Sequence, residues 1–456
     1  MPTIEWLMGL PRRFLNLIME NRVTRIQSLR CIDLERHKFF NTTKPADLST
    51  MDASQNNAQV ATAAAALKRM KRIRLPRPAS SFAALSSDLQ DTGVHCLPVA
   101  DRRVMCLDKA GHAFLLEADS CCAVTMPRLH KPKSEPISLY IPSTDMEDIL
   151  RGGPFIDDLD GGVDGSFLVM DRNPKPEEAG CIASAQFEVV LFKRCSLSHV
   201  SNSRHTCKLL PPPPYSHDTN SCPEISSYGF TEGISQICVS MEGAGTYRLE
   251  TASYTWREEG EWTLPFRGKF EYVPELKLWF GFSENGLFAA ADLSTMDAQP
   301  QLLGTWKELE PPEEWREIQD PQLVNLGSGR FCIARFFRTR TPIAGILGDE
   351  LGSRNFAVLT GVEVVVPHVY DGDAGCGNGK FSWAVHRVSK KPYNLQPSKV
   401  GTDELGFPGT CHRTLTVFLG RWPCFKEPYN LQPSKVGTDE FGFPGTCHRA
   451  LTGELI

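Results

Sequence analysis

The chain has 456 residues, of which 41% are hydrophobic and 23% charged, with a formal net charge of −5. That suits one large domain with tails or two ordinary domains, and the mild charge argues against nucleic acid or an anionic membrane as partner. Fifteen cysteines, an odd number without CxxC spacing, exclude a simple secreted disulfide framework and a zinc ribbon, and point to reduced thiols inside a cell.

In chain order, Trp6, Leu7, Leu10, Phe14, Leu17 and Ile18 recur at helical spacing, which predicts a short N-terminal amphipathic helix over residues 4–20. Arg12 and Arg13 interrupt the apolar stretch and no small-residue cleavage site follows, so no secretory signal is read there. No apolar run reaches the roughly 20 residues of a membrane span. LPRRFLNLIMENRV, from Leu10 to Val23, is similar to the start of an F-box, without that motif's later tryptophan. Residues 26–40 read as one or two short strands, and the whole segment 1–45 is expected to complete or latch a larger β-structure. Residues 46–77 read as a linker. LKRMKRIRLPRP, from Leu67 to Pro78, suits either a solvated helix end stopped by Pro76 or an importin-type nuclear signal.

Residues 78–366 form the predicted body, with short strand candidates separated by turn residues. GTYRLETASYTWREEGEWTLP, from Gly245 to Pro265, is the clearest unit: Tyr247 and Leu249 alternate with polar neighbours, a polar turn follows, and Trp256 begins the next strand. Related units run from Arg102 to Pro127, from Ile137 to Pro214, from Phe270 to Pro312, and through QLVNLGSGRFCIARFF and NFAVLTGVEVVV to Val366. Irregular repetition of three- or four-stranded units predicts an all-β chain, a β-propeller of about five to six blades, with a β-sandwich pair as the competing arrangement. Tyr247, Tyr254, Trp256, Trp262 and Trp279 are expected in blade cores. In the tail, 367–456, residues 390–416 recur at 426–452 with three differences, Lys391/Glu427, Leu405/Phe441 and Thr414/Ala450. Two copies make no solenoid, and the tail is expected to be poorly ordered.

RRFLNLIMENR and SLRCIDLERHKFFNTT near the start, then AVTMPRLHKPKSEPISLYIP, GTYRLETASYTW, EWTLPFRGKFEYVPELKLWFG and DPQLVNLGSGRFCIARFF, carry a family resemblance. Over roughly residues 10–366 the chain resembles a plant family, expanded in the grasses, known only as domain of unknown function 1668. The resemblance implies a propeller of the kelch or F-box-associated kind. It brings no known activity, ligand or catalytic residue, and the tail departs from it.

Local motifs for chemistry are weak. DDLDGGVDG, from Asp157 to Gly165, read as a calcium loop from Asp160, offers Asp164 and Asp171 but has Gly162 and Leu168 at ligand positions, so a solvated acidic turn is the expectation. Cys411-His412 and Cys447-His448 are adjacent pairs copied by the repeat, not spaced zinc ligands. Cys121-Cys122 is expected to be buried and inert. His95, His112, His130 and His205 are dispersed, each without a carboxylate or cysteine at useful spacing. PPPPY, Pro211 to Tyr215, suits a WW-type groove or a stiff loop. No residue is assigned as catalytic, cofactor-binding or metal-ligating, and no cofactor is expected.

The function expected from sequence is a non-enzymatic protein–protein interaction scaffold. The alternatives are an F-box-like substrate adaptor for ubiquitin ligation, or an enzymatic or small-molecule-binding propeller using its central channel. The expected partner is another protein, with neither nucleic acid nor membrane. The chain is expected to be a monomer in the cytoplasm, the nucleus or both.

Overall fold

The segment FLNLIMEN shows how the chain is built. Leu15, Leu17 and Met19 pack into one apolar cluster while Ile18, on the opposite side of the same strand, packs into another. A strand covered on both faces needs a near-continuous apolar run, and such a run also satisfies helical spacing. Residues 14–21 are therefore a strand, which corrects the helix expected over 4–20; residues 1–13 lie outside the described part. The computed structural model describes residues 14–21, 25–37, 39–40, 70–74, 76–83, 93–100, 103–118, 122–142, 165–175, 184–192, 205–214, 223–231, 233–343, 350–365, 384–388, 393–396 and 412–420.

All regular structure there is β. The strands are β1 (Phe14–Asn21), β2 (Gln27–Asp33), β3 (Lys71–Arg74), β4 (Ser80–Phe82), β5 (Val94–Ala100), β6 (Arg103–Asp108), β7 (Ala113–Glu117), β8 (Cys122–Met126) and β9 (Pro136–Pro142). They continue with β10 (Gly165–Asp171), β11 (Ser184–Phe192), β12 (Thr206–Leu210), β13 (Ile225–Phe230), β14 (Gln236–Met241), β15 (Gly245–Glu250), β16 (Trp256–Gly260), β17 (Arg267–Val273) and β18 (Leu278–Phe282). The last are β19 (Phe288–Ala291), β20 (Leu302–Trp306), β21 (Arg316–Gly327), β22 (Arg330–Ile343), β23 (Glu350–Val365), β24 (Ala384–Val388), β25 (Tyr393–Gln396) and β26 (His412–Gly420).

Consecutive strands meander antiparallel. β5–β8 form one sheet and β9–β12 another; β13–β16 and β17–β20 are joined through a short parallel pairing of β13 with β17. β21–β23 extend through β25 to β3, and β1 lies between β26 and β2, with β4 at the edge.

Apolar clusters fill the space between each sheet and the next. Ile18 and Leu29 meet Cys96 and Val104; Met105 and Leu115 meet Phe167 and Val190; Leu168 and Phe187 meet Val239 and Tyr247. Cys238 then meets Phe270 and Trp279, Phe280 and Phe288 meet Phe331 and Val362, and Phe336 and Leu359 return to Leu15 and Leu17. The last cluster closes the circuit on the first sheet, which is the packing logic of a β-propeller: no sheet can bury both faces until the ring is complete. A side chain such as Leu15 or Ile18 contributes about 1.5–3 kcal/mol by leaving water, so the closing interface carries substantial stability.

Closure uses the tail. β26 pairs antiparallel with β1, from Phe14↔Gly420 to Asn21↔His412, and β25 pairs in parallel with β3, from Tyr393↔Lys71 to Gln396↔Arg74. Residues 393–396 and 412–416 belong to the first repeat copy, so the expectation of a poorly ordered tail is corrected for these strands; the second copy lies outside the described residues. Lys71–Arg74 of the basic cluster is likewise a strand and not a helix end, with Ile73 fully buried. The F-box-like segment is corrected in the same way, since β1 is held between two strands.

Candidate functional site

Two groups of polar side chains stand out. The first lies where the inner strands begin. Asp171, buried at the end of β10, accepts hydrogen bonds from the Ser134 backbone N–H (2.9 Å) and hydroxyl (3.1 Å). Backbone bonds from Arg172 N–H to the Glu135 carbonyl (2.9 Å) and from Ile225 N–H to the Arg172 carbonyl (2.8 Å) then fix Arg172 between β9 and β13. Its guanidinium reaches Asp320 Oδ2 on β21 at 2.8 Å and Glu224 Oε1 at 4.0 Å. Arg267, at the start of β17, reaches Glu224 at 3.3 Å and Glu242 at 3.5 Å, and Lys269 Nζ lies 2.9 Å from Glu271.

Arg172, just after β10, and Asp320, on β21, stand 148 residues apart, and their ion pair links two sheets that are not hydrogen-bonded to each other. Burial works against the Arg172 charge, but Asp320, Tyr228 and Glu224 outweigh it and its pKa rises. Burial pushes the Tyr228 phenol up, with Lys269 and Arg172 opposing. At Lys269 burial opposes the charge and Glu271 prevails, so its pKa rises. Solvent still reaches 46% of the Lys269 side chain.

The second group sits where the connection from β8 to β9 crosses the β9–β12 sheet. Glu188 on β11 has a fully buried carboxylate. Oε2 accepts from His130 N–H (2.8 Å) and the Cys207 thiol (3.2 Å), and lies 2.8 Å from His130 Nδ1, which must be the donor to an ionised carboxylate. Oε1 accepts from Lys131 N–H (3.2 Å) and from Lys133 Nζ, whose remaining protons go to the carbonyls of Lys131 (2.8 Å) and Ala185 (2.9 Å). Burial favours the neutral acid at Glu188, but Lys133 and His130 together outweigh it and hold the carboxyl below its ordinary value. Burial also lowers Lys133, with Glu188 opposing.

Cys207 faces Glu188 diagonally, since Glu188 pairs with Leu209 and Val190 with Cys207. Burial, with the Glu188 charge, pushes its thiol up to about 12. It is therefore a hydrogen-bond donor at neutral pH rather than a thiolate nucleophile. One potential ligand atom from each of His130, Glu188 and Cys207 lies within 4.8 Å of the other two, the one such trio among the described residues.

The other residues singled out in the sequence are spread widely. His112 Nδ1 lies 2.9 Å from Asp108, which ties the β6–β7 turn; His205 stacks edge-on against Phe192, with burial lowering its pKa; His95 is on β5. Cys122 is exposed on the outer strand β8, which corrects the buried role expected for it. Asp171 caps residues 134–135, while Asp157, Asp160, Gly162 and Asp164 lie outside the described residues, as do Cys121, Cys411, Cys447 and His448. Trp256 Nε1 donates to the Pro211 carbonyl at 2.8 Å and Pro213 is buried, so the start of PPPPY packs against the sheet; Tyr215 is not described. Tyr247 and Trp279 are core residues, and Tyr254, Trp256 and Trp262 are partly buried against it.

Residues 12–388 match a family model described as "Protein of unknown function (DUF1668)". A search of curated proteins found no match. Among solved structures, the chain is similar to the Cps50 (Swd1) β-propeller domain of Myceliophteria thermophila, at 7% identity over 76% of this chain and 93% of that one, TM-score 0.34. It is also similar to the Pan2 WD40 domain of Neurospora crassa, at 9% identity over 60% and 64%, TM-score 0.31, and to apo AztD of Citrobacter koseri, at 11% identity over 76% and 98%, TM-score 0.29.

Proposed function

This chain belongs to the DUF1668 family of proteins of unknown function, and we propose that it acts as a non-enzymatic protein–protein interaction scaffold built on a six-bladed, kelch-like propeller. The supporting observation is the charged surface where the inner strands begin. Glu135, Arg172, Glu224, Glu242, Arg267 and Asp320 arrive there from different strands and connections on a rigid frame, and Asp320, Glu242 and Glu135 remain more than half exposed. Mixed charges of this kind select a partner by complementarity and by rejecting like-charged competitors. On this reading the protein works as a monomer in the cytoplasm, the nucleus or both.

The test is affinity purification of the tagged full chain from plant extract, repeated with Arg267→Glu and Asp320→Lys. A partner recovered with the wild type and lost with either variant, at unchanged melting temperature, supports the reading. A partner set indifferent to both variants removes this surface from it.

A second reading, a polar ligand between the inner strands, is favoured by Lys269, whose Nζ lies 2.9 Å from Glu271 while 46% of the side chain stays exposed. It predicts that a small charged ligand raises the melting temperature of the wild type and not of Lys269→Met.

A further inference from the structure

We propose that His130 Nδ1, Glu188 Oε2 and Cys207 Sγ form a binding site for a zinc-class divalent metal ion, at the junction between the β5–β8 and β9–β12 sheets. The trio comes from three separate segments: the β8–β9 connection, the middle of β11 and the start of β12. Nδ1 and Sγ lie 2.8 and 3.2 Å from Oε2. Tetrahedral zinc with bonds of about 2.0–2.3 Å separates its ligands by roughly 3.3–3.6 Å, so the two edges at Glu188 need to open by about 0.3–0.5 Å, while the His130–Cys207 edge lies within 4.8 Å and has to close onto the ion. His130, with 46% of its side chain exposed, can supply that shift.

The donor chemistry selects the ion. One imidazole nitrogen, one carboxylate oxygen and one sulfur suit zinc or cobalt, whereas calcium and magnesium require oxygen ligands throughout. The surroundings are also built for ligation. Glu188 Oε1 is pinned by Lys133 and by the Lys131 N–H, which fixes the carboxylate plane and leaves Oε2 directed at His130 and Cys207. Binding releases the Cys207 thiol proton to solvent and moves the imidazole proton from Nδ1 to Nε2. With Lys133 retained, a dication bound by thiolate and carboxylate leaves one net positive charge. The fourth position, on the His130 side, would then take water, hydroxide or a small anion.

The test is titration of the metal-free full chain with Co²⁺, followed by displacement with Zn²⁺. One saturable equivalent is expected, with tetrahedral d–d bands and a near-ultraviolet thiolate-to-cobalt charge-transfer band. Cys207→Ser should abolish that band and His130→Gln should weaken binding at least tenfold, both keeping the wild-type circular dichroism. Cys122→Ser, at an exposed cysteine away from the trio, should change nothing. Failure to saturate below millimolar Co²⁺, or a charge-transfer band that survives Cys207→Ser, would overturn the proposal and leave Glu188 as a hydrogen-bonding clamp.

Discussion

Replacing Lys133 with Met tests what holds the β8–β9 connection in place. The Lys133 side chain is 1% exposed and its ammonium is satisfied by the Lys131 and Ala185 carbonyls and by Glu188, itself fully buried. Methionine fills a similar volume but leaves a buried carboxylate without its cation, a change that costs about 3–5 kcal/mol in comparable sites. Glu188 keeps the N–H groups of His130 and Lys131 and the Cys207 thiol, so the lower end, about 3 kcal/mol, is expected. The assay is urea unfolding at pH 7 of wild type, Lys133→Met, Glu188→Gln and the double variant. Because each single change strands the other partner, the double variant should lose at least about 1 kcal/mol less than the sum of the two. Acid supplies a second check. Glu188 is held below its ordinary value, so its stabilisation is complete above about pH 4.3 and disappears as pH falls through its lower folded value. The gap between wild type and Lys133→Met should close over that acid window. A single-variant loss below about 1 kcal/mol, or simple additivity, would refute the argument that the pair is coupled.

Three further outcomes are expected. A Cβ at Gly229 would lie 2.5 Å from the Phe270 carbonyl oxygen, where β13 meets β17. Gly229→Ala should therefore cost about 1–3 kcal/mol in thermal melts, and an unchanged melt would place those strands farther apart. In iodoacetamide labelling at pH 8 with peptide mapping, exposed Cys122 should react at least tenfold faster than Cys207 and Cys238, whose thiols burial pushes up to about 12. Equal rates would contradict the burial. A chain ending at residue 411 loses β26 and uncovers one edge of β1, whereas one ending at 425 loses only the second repeat copy. Differential scanning calorimetry should show the shorter chain melting several degrees lower and the longer one unchanged; equal melts would mean that β26 contributes nothing to closure.

In the body, β15 and β16 were legible because each is short and bounded by turn residues: Tyr247 and Leu249 of β15 and the start of β16 at Trp256 lie where the pattern puts them. β1 was misread because a strand buried on both faces loses the period-two signal. β3 was hidden by its charges, Lys71, Arg72 and Arg74, around the single buried Ile73. β25 and the start of β26 were hidden because the repeat that holds them shows neither helical nor strand periodicity. The second polar group was invisible for a different reason. His130 and Glu188 stand 58 residues apart and Glu188 and Cys207 19 apart, and only the packing of a connection across a neighbouring sheet brings them together. A local spacing rule cannot find such a cluster. The charged group at the inner strands is equally non-local, since Arg172 and Asp320 are separated by 148 residues.

The pairing of β1 with β26 also sets a timetable for synthesis. β1 is among the first described segments to leave the ribosome, and its partner follows some 390 residues later. At roughly 5–20 residues per second, Phe14 to Met19 wait about 20–80 s before the strand that covers their edge exists. Through that interval the nascent chain carries an uncharged stretch, FLNLIM, of the composition that self-associates as β-structure. Production of this protein at high level thus depends on what occupies that stretch in the meantime, and holding chaperones should matter most for its first forty residues.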